Sequence, residues 1–123
     1  MKGSRVPNKN NICNLIMKIE ARSLPRKIFR CHAKLILPGR SPLSCRTMDL
    51  SLSGLSLFFS EQLKAGQACT VAFEAPLTGK HVPVVLGAKV IYSILSGTDG
   101  FRTGVQFMQL DAANEKIIAE LMA

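Results

Sequence analysis

Tryptophan is absent from this 123-residue chain and tyrosine occurs once, so aromatic residues make up only 6% of it. Single-stranded nucleic acid stacks its bases on aromatic platforms, and a chain this poor in rings offers little such surface. Acidic side chains are also few, eight against sixteen lysines and arginines. The net charge of +8 favours an anionic partner such as a nucleotide, a nucleic acid or an anionic surface, although the same excess also serves solubility. Long apolar runs are lacking too. The longest early one, Ile12–Met17, is interrupted by Asn14 and stopped by Lys18, too short to span a bilayer, and no small-residue cleavage site follows it. The expectation is a cytoplasmic protein with no membrane span.

The four cysteines are Cys13, Cys31, Cys45 and Cys69, and no two stand at C-x-x-C or other metal-clip spacing. We expect buried or inert thiols in a reducing compartment, with no disulfide and no metal. The two histidines, His32 and His81, have no cysteine or serine partner by spacing. Neither a P-loop nor a dinucleotide-type glycine loop is present. No catalytic residues emerge and no cofactor is implied, so the chain does not read as an enzyme.

What is there is enough apolar material, 47% of residues, for one domain with one core. Residues 1–19 divide into a basic, polar, breaker-rich stretch and a short apolar run, and are expected to form a flexible N-terminal segment. The folded domain is expected over residues 20–123. Residues 20–27 read as an extended arm, because Pro25 disfavours helix at Leu24.

Strands come next. Phe29, Cys31, Ala33, Leu35 and Leu37 alternate with Arg30, His32 and Lys34, the pattern of a half-buried strand. Pro38-Gly39-Arg40 turns the chain, and Leu43–Leu50 pairs back. Leu55, Leu57 and Phe59 line the next strand, and Cys69, Val71, Phe73 and Ala75 another. A long strand carries Val82, Val84, Leu86, Ala88, Val90, Tyr92 and Ile94 on one face, with Gly87 suggesting a bulge or bend. A last strand covers Arg102–Met108. Asp111 can cap a helix whose apolar face is Ala113, Ile117, Ile118, Leu121 and Met122. The fold class is mainly all-β: a six-stranded antiparallel barrel followed by one helix.

Two short patterns carry chemistry. Arg22 and Arg26 form an Arg-x-x-x-Arg on the arm. Each guanidinium can grip a phosphate through two bonds or stack on a purine face. Downstream, Asp49, Ser51 and Gly54 form Asp-x-Ser-x-x-Gly. The Asp49 carboxylate matches the N1–H and N2–H₂ donors of guanine, or else fixes its own turn. Ser51 offers a hydroxyl or its backbone to the same edge. Gly54 permits close approach of a ligand or strand, or a turn of positive φ.

These motifs in this order, with Gly104-Val-Gln-Phe107 ahead of a terminal helix, resemble the PilZ domain family over roughly residues 20–123. An overlapping Arg26-x-x-x-Arg30 exists, but Arg30 belongs to the first strand. Many members carry a further arginine where this chain has Ala21. The resemblance implies a six-stranded barrel, cyclic di-GMP bound as a ligand rather than a cofactor, and no catalysis. Arg22 and Arg26 would hold phosphate and stack on guanine. Asp49, Ser51 and Gly54 would form the guanine pocket. The function expected is a bacterial second-messenger receptor whose arm orders on cyclic di-GMP and signals to an unidentified downstream protein in motility, exopolysaccharide or virulence control. Two alternatives stay open: a PilZ-like adaptor that binds no nucleotide, and a small basic barrel binding nucleic acid, the latter disfavoured by the scarcity of rings.

Overall fold

The computed structural model describes residues 25–97 and 100–123. The expected flexible segment 1–19 and the first motif arginine, Arg22, lie outside them. Among these residues seven strands and one helix run in order: β1 (Lys27–Ile28), β2 (His32–Ile36), β3 (Leu43–Leu50), β4 (Gly54–Phe59), β5 (Ala68–Leu77), β6 (Lys80–Leu95), β7 (Phe101–Phe107) and α1 (Ala112–Met122). All pairings are antiparallel. The sheet order is β1-β3-β2-β5-β6-β7-β4, and β3 also pairs with β4. That last pairing closes β2 to β7 into the expected six-stranded barrel and leaves no open edge among them for other chains to template on.

The alternating apolar positions fill the barrel. Leu35, Leu55, Leu57, Phe59, Val71, Leu86 and Val90 are all essentially inaccessible. Each such side chain contributes roughly 1.5–3 kcal/mol of burial as an upper bound. Cys45 and Cys69 belong to this core. Burial pushes their thiols up, to about 12 and about 11, in keeping with inert buried sulfur. The helix packs on β5 and β6 and inserts Ile118 into the core, with Ile117, Leu121 and Met122 against it. Ala113, expected on that face, is exposed. Asp111 caps the helix by accepting from the Asn114 amide at 2.7 Å, and the Asn114 side chain donates to the Val85 carbonyl at 3.1 Å.

Three features depart from strict alternation. First, the opening strand is broken. β1 pairs with Leu50 and Asp49 of β3, and β2 pairs with Leu43–Arg46 of the same strand, so the sheet takes hold of the arm at Lys27. Thr47 fills the break: its hydroxyl donates to the Phe29 carbonyl at 2.6 Å and accepts from the Cys31 amide at 2.9 Å. Thr47→Val keeps the shape and leaves both backbone groups unpaired in a part-buried site. We expect a loss of about 1–3 kcal/mol in urea unfolding. An unchanged midpoint would mean that the hydroxyl bridge is not what holds the break.

Second, the register between β3 and β4 shifts between Thr47 and Asp49, leaving Met48 as an extra residue. Third, the register between β6 and β7 shifts between Val90 and Tyr92, leaving Ile91 extra. The expected bulge is therefore at Ile91, not at Gly87, which pairs regularly with Thr70. The consequence is a correction to the long strand. Val84, Leu86, Ala88 and Val90 face inward, but Tyr92 and Ile94 are turned out, at 36% and 56% exposure. A single extra residue transfers every later side chain to the opposite face.

Candidate functional site

The two bulges bring one row of side chains together on the outer face of the barrel. Strict alternation with the buried Cys45 and Thr47 would point Asp49 into the core. The extra residue at Met48 turns it outward instead, while Leu50 returns to the interior. Cross-strand pairing then runs Asp49↔Ser56, Ser56↔Gly104 and Gly104↔Tyr92. The Tyr92 ring lies over Gly104, where any Cβ would collide with it. A neighbouring row runs Arg46↔Phe58, Phe58↔Arg102 and Arg102↔Ile94.

Asp49 is the centre of this surface. Its Oδ1 accepts from Arg26 Nε at 2.9 Å, and its Oδ2 accepts from Arg102 Nη2 at 3.3 Å. The carboxylate is 18% exposed, the two guanidiniums 40% and 44%. The Arg102 bond crosses β4, and two polar side-chain atoms at this surface, Ser56 Oγ and Arg102 Nε, are buried with no hydrogen-bond partner among the described residues. Such unpaired buried groups are uncommon in native structures. Beside the cluster lies a groove of about 380 Å³ whose lining includes Arg30, His32, Arg46, Met48 and Phe58. Neither Arg30 nor Arg46 has an ion-pair partner among the described residues, so this face carries excess positive charge.

Ser51 is placed differently. It is fully buried, and its hydroxyl accepts from the amides of Ser53 at 3.3 Å and Gly54 at 3.2 Å. Its own amide donates to the Gly54 carbonyl at 2.8 Å. These bonds tie the tight connection between β3 and β4, as serine hydroxyls commonly do in turns. Gly54 opens β4 without positive φ. A Cβ there would strike the Val105 carbonyl and lie 3.2 Å from Gln106 Cα, so the glycine is required by the approach of β7. The structure thus joins Arg26 to Asp49, adds Arg102, and sets Ser51 and Gly54 as the frame that holds Asp49 at the strand end. Arg22 lies outside the described residues. Arg102 was not singled out from sequence: it is 53 positions from Asp49, and only the β4–β7 register brings it near. The one available signal was its outward phase in the last strand.

The arrangement provides one anionic acceptor pair flanked by guanidinium donors on a rigid barrel wall. That suits a ligand bearing both N–H donors and negative charge. Among the described residues no group of three or more His, Cys, Asp or Glu could hold a metal ion, and no helix there is long and apolar enough to cross a membrane.

A family model described as PilZ domain matches residues 20–123. No curated protein matches the sequence. Solved structures do match the fold. The inhibitor of motility MotI/DgrA of Bacillus subtilis superposes with a TM-score of 0.70 at 8% identity, over 82% of this chain and 49% of that one. The PlzA protein of Borreliella burgdorferi, solved in complex with c-di-GMP, gives 0.63 at 13% identity, over 92% of this chain and 46% of that one. The PilZ domain of CeSA from a cellulose-synthesizing bacterium gives 0.58 at 18% identity, over 79% and 93%. The chain therefore spans about half the length of MotI/DgrA and of PlzA and nearly all of the CeSA domain.

Proposed function

Since the chain belongs to the PilZ domain family, we propose that it is a receptor for cyclic di-GMP, one that orders its N-terminal arginine arm on the ligand and signals to a partner protein. The observation that carries this reading is the Arg26–Asp49–Arg102 cluster on the outer barrel face. In the free protein the Asp49 carboxylate is occupied by two guanidiniums. A ligand with phosphates and guanine bases resolves that arrangement in one exchange. Its acceptors draw the arginines away, and its N1–H and N2–H₂ donors take the carboxylate they leave. Arg22 and Arg26 serve the phosphates and a purine face, Asp49 reads a guanine edge, and Ser51 and Gly54 set the turn that presents Asp49. The PlzA structure, which shares this fold, holds c-di-GMP.

The chemistry proposed is binding without catalysis, in a bacterial cytoplasm. Ligand ordering of the arm, which enters the barrel at β1 beside Asp49, creates a new surface for a partner. The fold is shared with an inhibitor of motility and with a domain from a cellulose-synthesizing bacterium, which keeps motility and exopolysaccharide control foremost among the processes served.

Titration calorimetry with cyclic di-GMP, and with GTP as control, tests the reading. Saturable micromolar or tighter binding of the cyclic dinucleotide alone is expected, which requires about 8 kcal/mol and thus only a few charge-assisted bonds of roughly 1.5–3 kcal/mol each. Absence of heat at millimolar ligand sinks it. Binding of GTP and oligonucleotides alike, with steep salt dependence, would turn the assignment to nucleic acid.

A further inference from the structure

Arg102 lies outside both sequence motifs, yet its contacts single it out. Its Nη2 reaches Asp49 Oδ2 at 3.3 Å, a long bond for a charge-assisted pair. Its Nε is buried and has no acceptor among the described residues. Donors left unpaired in this way carry a desolvation penalty that a ligand acceptor would relieve. The tip of the side chain is partly exposed, so it can turn to meet one.

We propose that Arg102 reads the O6 and N7 acceptors of the guanine whose N1–H and N2–H₂ edge Asp49 takes, and so is the residue that distinguishes guanine from adenine. The inference rests on the cyclic di-GMP reading. Around a guanine ring the order of polar groups is two donors, N2 and N1, then two acceptors, O6 and N7. Asp49 supplies acceptors for the first pair. Arg102, already within hydrogen-bond distance of that carboxylate, supplies a guanidinium fork for the second pair, the commonest pairing of arginine with guanine. The two side chains stand on β3 and β7 with only β4 between them, so donor fork and acceptor fork lie side by side, as the base requires. Adenine inverts the pattern at N1 and at position 6 and keeps only the N7 acceptor. It has no N1–H for the carboxylate, and its N6 amine meets the guanidinium donor to donor. The buried Ser56 hydroxyl sits directly opposite Asp49 on β4, as a further polar atom with no partner among the described residues.

The test compares cyclic di-GMP, cyclic di-AMP and the hypoxanthine analogue cyclic di-IMP, which lacks N2 but retains O6 and N7. Calorimetric titrations are run on the unsubstituted protein, Arg102→Ala, Arg102→Gln and Asp49→Ala. Thermal unfolding checks that each variant is folded, and the glutamine variant retains the packed stem if the alanine variant does not fold. The expected result is that losing Arg102 weakens cyclic di-GMP binding by roughly 10- to 100-fold, weakens cyclic di-IMP binding by a similar factor, and narrows the ratio between the guanine and adenine ligands. Equal weakening of guanine and adenine ligands overturns the proposal and leaves Arg102 as a general positive charge. So does unchanged affinity in both Arg102 variants. If those variants keep full affinity while Asp49→Ala loses it, the receptor reading survives and only the role of Arg102 fails. If the unsubstituted protein binds no cyclic di-GMP, both fall.

Discussion

Asp49→Ala is expected to abolish cyclic di-GMP binding while leaving the barrel folded. The two effects differ because the same carboxylate is worth different amounts in each setting. In the free protein it pairs with Arg26 and Arg102, whose side chains are 40% and 44% exposed. Pairs of that exposure contribute about 0–1 kcal/mol each. The melting temperature should therefore fall by only about 8 °C or less. In the proposed complex the carboxylate would accept two bonds from a guanine edge, each charge-assisted and worth roughly 1.5–3 kcal/mol. Their joint loss weakens binding by at least about 100-fold. Arg26→Ala should show the same pattern, since Arg26 lies on the exposed arm and its only described side-chain bond is to Asp49. Calorimetry and thermal unfolding on the same preparations separate the two quantities. Affinity retained within threefold in Asp49→Ala would remove this surface as the ligand site, whatever the family does.

How far the sequence foretold these relations depends on the scale at which each is decided. Period-2 alternation is a local property, and it located β2, β5 and the first half of β6 through Leu35, Val71 and Leu86 without help from tertiary structure. The Asp-x-Ser-x-x-Gly spacing is also local. It marked the connection between β3 and β4 and the acid beside it. The bulges at Met48 and Ile91 were not legible. Neither position carries a glycine or a breaker, and an extra residue is favoured only once β4 and β7 have set their registers against the neighbouring strands. Gly87 looked the better candidate and pairs regularly. Each bulge reverses the facing of every later residue in its strand, so alternation alone puts Tyr92 and Ile94 in the core rather than on the outer wall. Arg102 was hidden for a related reason: its partnership with Asp49 exists only through a strand that separates them. Most of the fold thus came from local pattern, whereas the candidate site arises where that pattern is broken.

Gly54→Ala should produce the largest loss of stability of any single methyl addition to this site. A Cβ at position 54 falls inside the contact distance of the Val105 carbonyl and close to Gln106 Cα, and these are backbone atoms. They cannot rotate away. Relief requires β4 and β7 to part at Gly54↔Gln106 and Leu55↔Val105, and the β4 pairings are what close the barrel. Overpacking that side chains can absorb costs about 1–3 kcal/mol. Here the backbone must yield, and we expect more than about 3 kcal/mol, a large fraction of the roughly 5–15 kcal/mol that holds a domain of this kind together. Gly104→Ala is the internal control. Its added methyl collides with the Tyr92 ring, which is partly exposed and can swing off the sheet, so a loss of about 1 kcal/mol is expected. Urea unfolding of the two variants should therefore show a midpoint shift for Gly54→Ala several times that for Gly104→Ala. Equal shifts would mean that the β4–β7 approach is looser than the geometry implies. The contrast also fixes the meaning of the motif glycine. If Gly54 acts by letting β7 close on β4, its replacement should remove ligand binding only together with the fold, whereas Asp49→Ala should remove binding alone.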